Sequence, residues 1–150
     1  MRVRQATCDD TQEIRNLILR SAHPITNADI SAAGFLTFMN YMEPHQVEKR
    51  LLDLNYWTKV CESDDGTIVG MISFHGSQME QLFVAPEFQR QGVATRLWEV
   101  SKEGLGTNGV LEGMLVYAST EAIAMYKKFG FKATGKARSP KGIRYTPMKL

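Results

Sequence analysis

The feature that most constrains this chain is an apolar segment that passes through a short polar turn into a helix beginning beside a glycine. Residues 82–85 are apolar, residues 86–91 form the turn, and Gly92 and Ala94 then open a helical pattern. The first N–H groups of a helix have no partner within it, and the helix dipole leaves about half a positive charge there. Because small residues let a ligand approach the backbone, the segment predicts a site for a pyrophosphate, to which Arg90 can add a charged contact.

The same segment also fits a plain turn between a strand and a helix, because glycine is common near helix starts. A dinucleotide site of the Rossmann type would need G-x-G-x-x-G, and a P-loop would need G-K-[ST]. The chain has neither pattern at this turn. If a phosphate binds here, it binds in a different kind of site from these two.

The order of elements around the turn predicts one α+β domain over residues 1–150, with a mixed, mostly antiparallel sheet flanked by helices. Asp64-Asp65-Gly66 is a strong hairpin signal, so three consecutive strands should be antiparallel. We predict strands over residues 2–6, 56–62, 67–74, 79–84 and 110–117 and a final pair within 131–150. We predict helices from the Thr7 capping box to about residue 20, after Pro44, from Val93 to the glycines that follow, and over residues 121–129.

Residues 21–43 are the least regular part of the chain. They hold many apolar side chains without a clear period, which predicts a partly helical flap. Such a flap either covers the core or forms the wall of a ligand site. Nearby acidic residues give a weak preference for a cationic amine ligand; they are Asp29, Glu43 and Glu48.

Composition excludes several classes of protein. A formal net charge of +2 gives no support for nucleic acid as a partner. Residues 127–150 carry eight Lys/Arg and no Asp/Glu, which fits either an anionic ligand or an ordinary solvated surface. No stretch approaches the ~20 apolar residues of a membrane span, and no secretory segment is present, so we expect a cytoplasmic protein. The cysteines and histidines have no metal-site spacing, so we expect no metal; they are Cys8, Cys61, His23, His45 and His75.

Three segments together resemble one known family. Gln89-x-x-Gly92-x-Ala94 resembles the Q/R-x-x-G-x-G/A signature of the GNAT superfamily, the GCN5-related N-acetyltransferases. Residues 119–131 are similar to the family's A-x-x-x-Y-x-K-x-G-F segment, and residues 142–148 to its last strand. The resemblance covers essentially the whole chain. Two departures are alanine for the commoner glycine at Ala94 and serine for the commoner asparagine at Ser119.

The resemblance implies that acetyl-CoA binds as co-substrate, without a metal. The N–H groups of residues 91–95 should hold the pyrophosphate, and the main chain of Phe83 and Val84 should bond the pantetheine arm. The thioester should lie where two parallel strands, one from each motif, move apart. The cofactor-binding residues implied in this way are Phe83, Val84, Gln89, Arg90, Gln91, Gly92, Val93, Ala94, Thr95 and Ser119.

The resemblance also implies catalytic residues. Tyr126 matches the family tyrosine and would give a proton to the leaving thiolate; its alternative role is a core aromatic. Glu80 would remove a proton from the amine, directly or through a water; its alternative role is an exposed strand glutamate paired with a neighbour. Glu43 and His75 are weaker candidates for the base. A strand N–H near Val84 would stabilise the oxyanion.

The implied function is transfer of an acetyl group to a primary amine of a small molecule or a peptide. The alternatives are an acyl-CoA-binding sensor or structural protein without transfer activity, an enzyme for another acyl group, and an interaction domain with an accidental motif. A homodimer is compatible with the family.

Overall fold

Seven strands form one mixed sheet in the computed structural model, which describes residues 1–22, 29–106 and 109–150. The strands are β1 (Arg2–Gln5), β2 (Tyr56–Glu62), β3 (Ile68–His75), β4 (Gln78–Val84), β5 (Leu115–Ala118), β6 (Lys132–Ala133) and β7 (Thr146–Lys149). Their order in the sheet is β1-β2-β3-β4-β5-β7-β6. Neighbours are antiparallel except β4 and β5, which are parallel. The predicted fold class is confirmed.

Five helices accompany the sheet in the described part of the chain. They are α1 (Thr11–Ser21), α2 (Ala32–Tyr41), α3 (Pro44–Leu52), α4 (Val93–Gly106) and α5 (Ile123–Lys128), with short 3₁₀ turns at Cys8–Asp10, Pro86–Phe88 and Thr120–Ala122. The predicted capping box is present, and Thr7 N donates to Asp10 Oδ2 at 2.7 Å. The apolar residues of α1 recur at helical spacing and therefore share one face, which is buried: Ile14 and Leu17 are each 1% exposed.

The two faces of the sheet carry separate apolar clusters. One contains Ile14 of α1, Val47 of α3 and Met71 of β3. The other contains Trp98 of α4 and Tyr126 of α5, together with residues of the central strands. Helices therefore cover both faces, and burial of these side chains is the main force that fixes them on the sheet.

Two predicted elements differ from the structure. The strand predicted over residues 110–117 is confined to β5, because the chain turns first: Met114 N donates to Leu111 O at 3.1 Å, and Gly113 has φ +77°. Val110 and Leu111 are apolar because they pack against the core, although they lie outside the sheet. Their apolar side chains made the predicted strand too long. The helix predicted over residues 121–129 is the 3₁₀ turn followed by the short α5.

The described part of the predicted flap contains the helix α2. Ser31 caps α2 by accepting a hydrogen bond from Gly34 N at 3.1 Å. The helix is apolar, yet of its ten residues only Gly34 is buried. Residues 23–28 of the flap lie outside the described residues. The loop before β7 contacts the start of α2, since Ser31 N donates to Gly142 O at 2.8 Å.

Candidate active site

The parallel strands β4 and β5 move apart after a very short contact. They pair only at Gln78–Leu115 and Met79–Val116. β4 then continues to Val84, whereas β5 ends at Ala118. A cavity of about 410 Å³ lies in the resulting opening, with walls from both strands, α2, α5 and the loop before β7. The resemblance predicted this opening, and the structure contains it.

A β-bulge at Glu80 accompanies the divergence. The register between β3 and β4 changes from Ser73–Gln81 to Phe74–Met79, which leaves Glu80 without a partner. A bulge bends its strand, increases the local twist and redirects the extra side chain. The turning of β4 away from β5 and the placement of Glu80 in the cavity wall thus occur at the same residue.

Two tyrosines and a histidine surround the Glu80 carboxylate. Its Oε2 accepts hydrogen bonds from the hydroxyls of Tyr41 at 2.7 Å and Tyr56 at 3.0 Å. Its Oε1 lies 3.9 Å from His75 Nδ1. The His75 ring stacks on that of Tyr56, with centroids 4.5 Å apart. The side chain is only 18% exposed, so it is not an exposed strand glutamate, although it is paired with neighbours as that alternative expected.

Both tyrosines remain neutral donors at neutral pH. Burial raises the pKa of Tyr41 and of Tyr56, and the neighbouring Glu80 raises both further. Arg50 lies against Tyr41, with its guanidinium carbon 3.7 Å from the ring centroid and its Nη2 donating to Tyr41 O at 2.9 Å. Glu80 therefore has a fixed orientation, with one oxygen held and the other less constrained.

Tyr126 lines the same cavity from α5. It is 6% exposed, and its ring meets those of Phe129 and Phe131 edge to face. Burial raises the pKa of its hydroxyl, which keeps it protonated at neutral pH. The two interpretations of Tyr126 are compatible, because a core aromatic here also reaches the cavity.

The glycine turn has the backbone geometry of a helix N-terminus that is open to a ligand. Gly92 has φ +83° and Arg90 has φ 58°. The first bond of α4 runs from Arg96 N to Gly92 O at 2.9 Å, so the preceding N–H groups lack helical partners. A side chain at Gly92 would meet no atom within 4 Å, so this glycine is required for its backbone angle and not for space.

Two glutamines brace this turn. Gln89 Nε2 donates to Val84 O at 3.1 Å, and Gln91 Nε2 donates to Glu87 O at 2.8 Å. Glu87 is in turn paired with Arg20 of α1 at 3.1 Å. These side chains fix the path from β4 into α4.

The main chain of β4 alternates between its two neighbours. Ala85 N donates to Val69 O at 2.9 Å, so the antiparallel alternation directs Phe83 towards β3 and Leu82 and Val84 towards the cavity side. The bond from Gln89 to Val84 O agrees with this direction. The pantetheine contact expected from the main chain of Phe83 therefore fits Leu82 better, while Val84 keeps its expected orientation.

The predicted site residues separate into two groups. Glu80, Phe83, Ser119 and Tyr126 all line the cavity. The others follow β4 into α4 and are not among its lining residues; they are Val84, Gln89, Arg90, Gln91, Gly92, Val93, Ala94 and Thr95.

The acidic residues of the flap region have other roles. Asp29 is 7% exposed and accepts hydrogen bonds from Thr120 N at 3.1 Å and Thr120 Oγ1 at 2.8 Å. Glu43, the N-cap residue of α3, and Glu48 within α3 are exposed. None of the three acidic residues lines the cavity, so neither the preference for a cationic amine nor the role of Glu43 as a base gains support from the structure.

Sequence reasoning missed several side chains of the site. Tyr41 and Tyr56 come from separate segments that meet only in the folded chain, and no local pattern links them to Glu80. Arg144, Tyr117 and Tyr145 also line the cavity. The local excess of positive charge in residues 127–150 was the only signal for Arg144.

Two features are absent from the part of the chain that the structure describes. Across residues 1–22, 29–106 and 109–150, no group of three or more His, Cys, Asp or Glu is arranged to hold a metal ion. Within the same residues, no helix has the length and apolar character that crossing a membrane requires.

Comparison with known proteins supplies relatives for this fold. A family model described as an acetyltransferase (GNAT) domain matches residues 26–150. The peptidyl-lysine N-acetyltransferase YjaB of Salmonella typhimurium is 33% identical over 84 residues, which are 54% of this chain and 52% of that protein. The match thus spans about half the length of this curated relative.

Two solved structures share the whole fold. A GCN5-related N-acetyltransferase from Rhodopseudomonas palustris superposes with a TM-score of 0.82 at 22% identity, covering 99% of this chain and 93% of the other. The PaiA N-acetyltransferase from Thermoplasma acidophilum, in complex with coenzyme A, has a TM-score of 0.81 at 14% identity, with 99% and 97% covered. At these identities the two structures show the fold.

Proposed function

The chain belongs to the GNAT acetyltransferase family, and we propose that it transfers the acetyl group of acetyl-CoA to a primary amine by direct attack. The observation that carries this proposal is the bulge at Glu80. It places a fixed carboxylate in the wall of the cavity that opens between β4 and β5, where Tyr126 also lies. A base and a proton donor that share one cavity are the side chains that acyl transfer to an amine requires.

The binding of acetyl-CoA is supported by main-chain groups. Leu82 and Val84 direct theirs towards the cavity side of β4, so an extended pantetheine arm can pair there as an additional strand would. The N–H groups of residues 91–95, at the start of α4, offer the pyrophosphate a site that favours negative charge. Ser119, in the cavity wall opposite β4, supplies a hydroxyl in place of the commoner asparagine.

Glu80 is the proposed base. An alkyl ammonium ion has a pKa near ~10.4 and must lose a proton before it can attack. The free Oε1 of Glu80 can accept that proton directly or through a water, while the two tyrosines hold Oε2. His75, whose Nδ1 lies 3.9 Å from Oε1, has a side chain that is 47% exposed.

Tyr126 is the proposed proton donor for the leaving thiolate. Its hydroxyl is neutral because burial raises its pKa, and it lines the cavity without a hydrogen-bonding partner among the described residues. A main-chain N–H of β4 near Val84 is the proposed donor to the developing oxyanion. No observation favours an acyl-CoA-binding protein that lacks transfer activity.

The setting of the enzyme is part of the same proposal. Cys8 and Cys61 are free thiols in the structure, which agrees with a reducing compartment such as the cytoplasm. The acceptor is an amine of a small molecule or a peptide; the lysine named for the Salmonella relative is one example of the chemistry.

Thermal unfolding with ligands tests the proposal. At 100 times its Kd, acetyl-CoA should stabilise the protein by roughly 2.7 kcal/mol, which for this chain length is about 5–10 °C in Tm. ATP is the control for non-specific phosphate binding and should give no saturable shift. Amines that release CoA from acetyl-CoA then identify acceptors. No shift at millimolar acetyl-CoA would contradict the proposed function.

A further inference from the structure

The cavity contains two opposite charges. Of the described residues that line it, only Glu80 and Arg144 are charged at neutral pH; the others are apolar, aromatic or neutral polar residues. They come from different elements, Glu80 from the bulge of β4 and Arg144 from the loop before β7. A ligand that fills this cavity therefore meets an anion and a cation.

The backbone around Arg144 is tied down on both sides. Arg144 N donates to Asp29 O, and Ile143 forms a β-bridge with Ile30. The next residue, Tyr145, exchanges two hydrogen bonds of 2.9 Å with Arg138. The main chain of Arg144 thus has a defined position although it lies in a loop, and the residue is exposed while it lines the cavity.

The Arg144 guanidinium has no hydrogen bond or ion pair with any described residue. The nearby carboxylate of Asp29 is occupied by the N–H and hydroxyl of Thr120. Glu80, the other charged residue of the wall, is held by Tyr41 and Tyr56. A guanidinium with this freedom is suited to bind an anion with two parallel hydrogen bonds.

This pair of charges bears on the acceptor. A polyamine would bring a second positive charge towards Arg144, and a simple alkyl amine would leave the guanidinium unused. A molecule with an amine at one end and a carboxylate at the other satisfies both charges at once. We propose, on the basis of the acetyl transfer proposed above, that the acceptor is an amino acid-like molecule whose amine meets Glu80 and whose carboxylate meets Arg144.

A matched series of acceptors tests this proposal. We would compare α-amino acids, β-alanine and longer ω-amino acids with their carboxamides and with diamines of the same length, measuring CoA release as kcat/KM. The series keeps the amine and changes the other end from anion to neutral group to cation. We expect the acid to exceed its amide by about tenfold or more at the best length, as for a charge-assisted contact, and the diamine to be poorest.

Variants assign the preference to Arg144. Arg144→Gln should make kcat/KM equal for the acid and its amide. Arg144→Glu should make kcat/KM highest for the diamine. Lys141→Gln removes the same charge from an exposed position of the same loop outside the cavity lining, and should keep the wild-type preference. The thermal shift with acetyl-CoA should be equal in all four proteins.

Three results would overturn the proposal. The first is that amides or diamines are acetylated as well as the acids by the wild-type protein. The second is that Arg144→Gln weakens acetyl-CoA binding and leaves acceptor preference unchanged, which would assign Arg144 to the coenzyme. The third is that CoA is released only with amines that carry no carboxylate. If none of the tested amines caused CoA release, the proposed function would be contradicted as well, so the two failures are distinguishable.

Discussion

The hydroxyl of Tyr41 lies 2.7 Å from Oε2 of Glu80, and this contact joins α2 to the bulge of β4. It connects the flap that walls the cavity with the residue proposed as the base. The orientation of Glu80 therefore depends on a segment that is 39 residues away in the sequence. Replacing either residue should therefore change turnover while the protein remains folded.

Replacement of Glu80 by glutamine tests the base. Glu80→Gln should lower kcat by about 10²–10⁴ near neutral pH, because the amide cannot accept the proton of the ammonium. The loss should diminish at alkaline pH, where free amine becomes abundant. The measurement is a pH profile of kcat. Glu48→Gln, on the exposed surface of α3, is the control and should behave as the wild type.

Removal of the Tyr41 hydroxyl tests the support of the base. The hydroxyl orients the carboxylate, so Tyr41→Phe should lower kcat, by less than Glu80→Gln does, with nearly unchanged acetyl-CoA affinity. Tyr56→Phe should act in the same direction. Tyr145→Phe also changes a cavity tyrosine but not one bonded to Glu80, and it should keep the wild-type kcat. Steady-state kinetics and thermal shift are the measurements, and an unchanged kcat in both test variants would remove this role from the tyrosines.

Removal of the Tyr126 hydroxyl tests the proposed proton donor. Tyr126→Phe keeps the buried ring and its contacts with Phe129 and Phe131 but removes the hydroxyl. We expect lower turnover with nearly unchanged acetyl-CoA affinity, measured by steady-state kinetics and by thermal shift. An unchanged turnover number would show that Tyr126 is a core aromatic alone.

The role of Gly92 can be separated from backbone strain. Gly92→Ala and Gly66→Ala introduce the same methyl group at φ +83° and φ +87°, and neither methyl meets an atom within 4 Å. Each should cost roughly 1–2 kcal/mol of stability. Only Gly92→Ala should also raise the Kd of acetyl-CoA, since Gly66 lies in the β2–β3 hairpin. Equal coenzyme affinity in both variants would contradict a coenzyme site at this turn.

Stability in acid depends on a charge cluster away from the cavity. Hydrogen bonding to Arg4 holds the pKa of Asp10 below its usual range, against the opposing effect of burial. A carboxyl group with a lowered pKa contributes stability above its unfolded pKa of about 3.9 and loses it as pH falls through the folded value. Arg4→Gln should therefore flatten the fall of unfolding free energy below about pH 4, measured by urea titration across pH. An unchanged slope would contradict this account.

Local chemistry explains which parts of the fold were predictable. The hairpin at Asp64-Asp65-Gly66 and the turn at Gly92 depend on backbone angles that few residues adopt, so both are visible in the sequence. The periodic apolar residues of α1 likewise specify its buried face. The strand predicted over residues 110–117 was too long because apolar residues outside a sheet can pack on its core.

The site was less predictable because it depends on long-range register. The bulge arises from how β3 pairs with β4, and residues 78–84 alone give no sign that Glu80 is the unpaired one. The contacts of Glu80 with Tyr41 and Tyr56 join residues 39 and 24 positions away. Gln89 was predicted at the coenzyme from its place in the signature, whereas its side chain bonds Val84 O and supports the turn.

Acetyl transfer itself provides the most direct test. The protein would be incubated with acetyl-CoA carrying an isotopic label in the acetyl group and with a mixture of primary amines, and the amines analysed by mass spectrometry. We predict labelled acetyl on at least one amine with the wild-type protein and little or none with Glu80→Gln. Binding of acetyl-CoA without transfer of label to any amine would contradict the enzyme assignment.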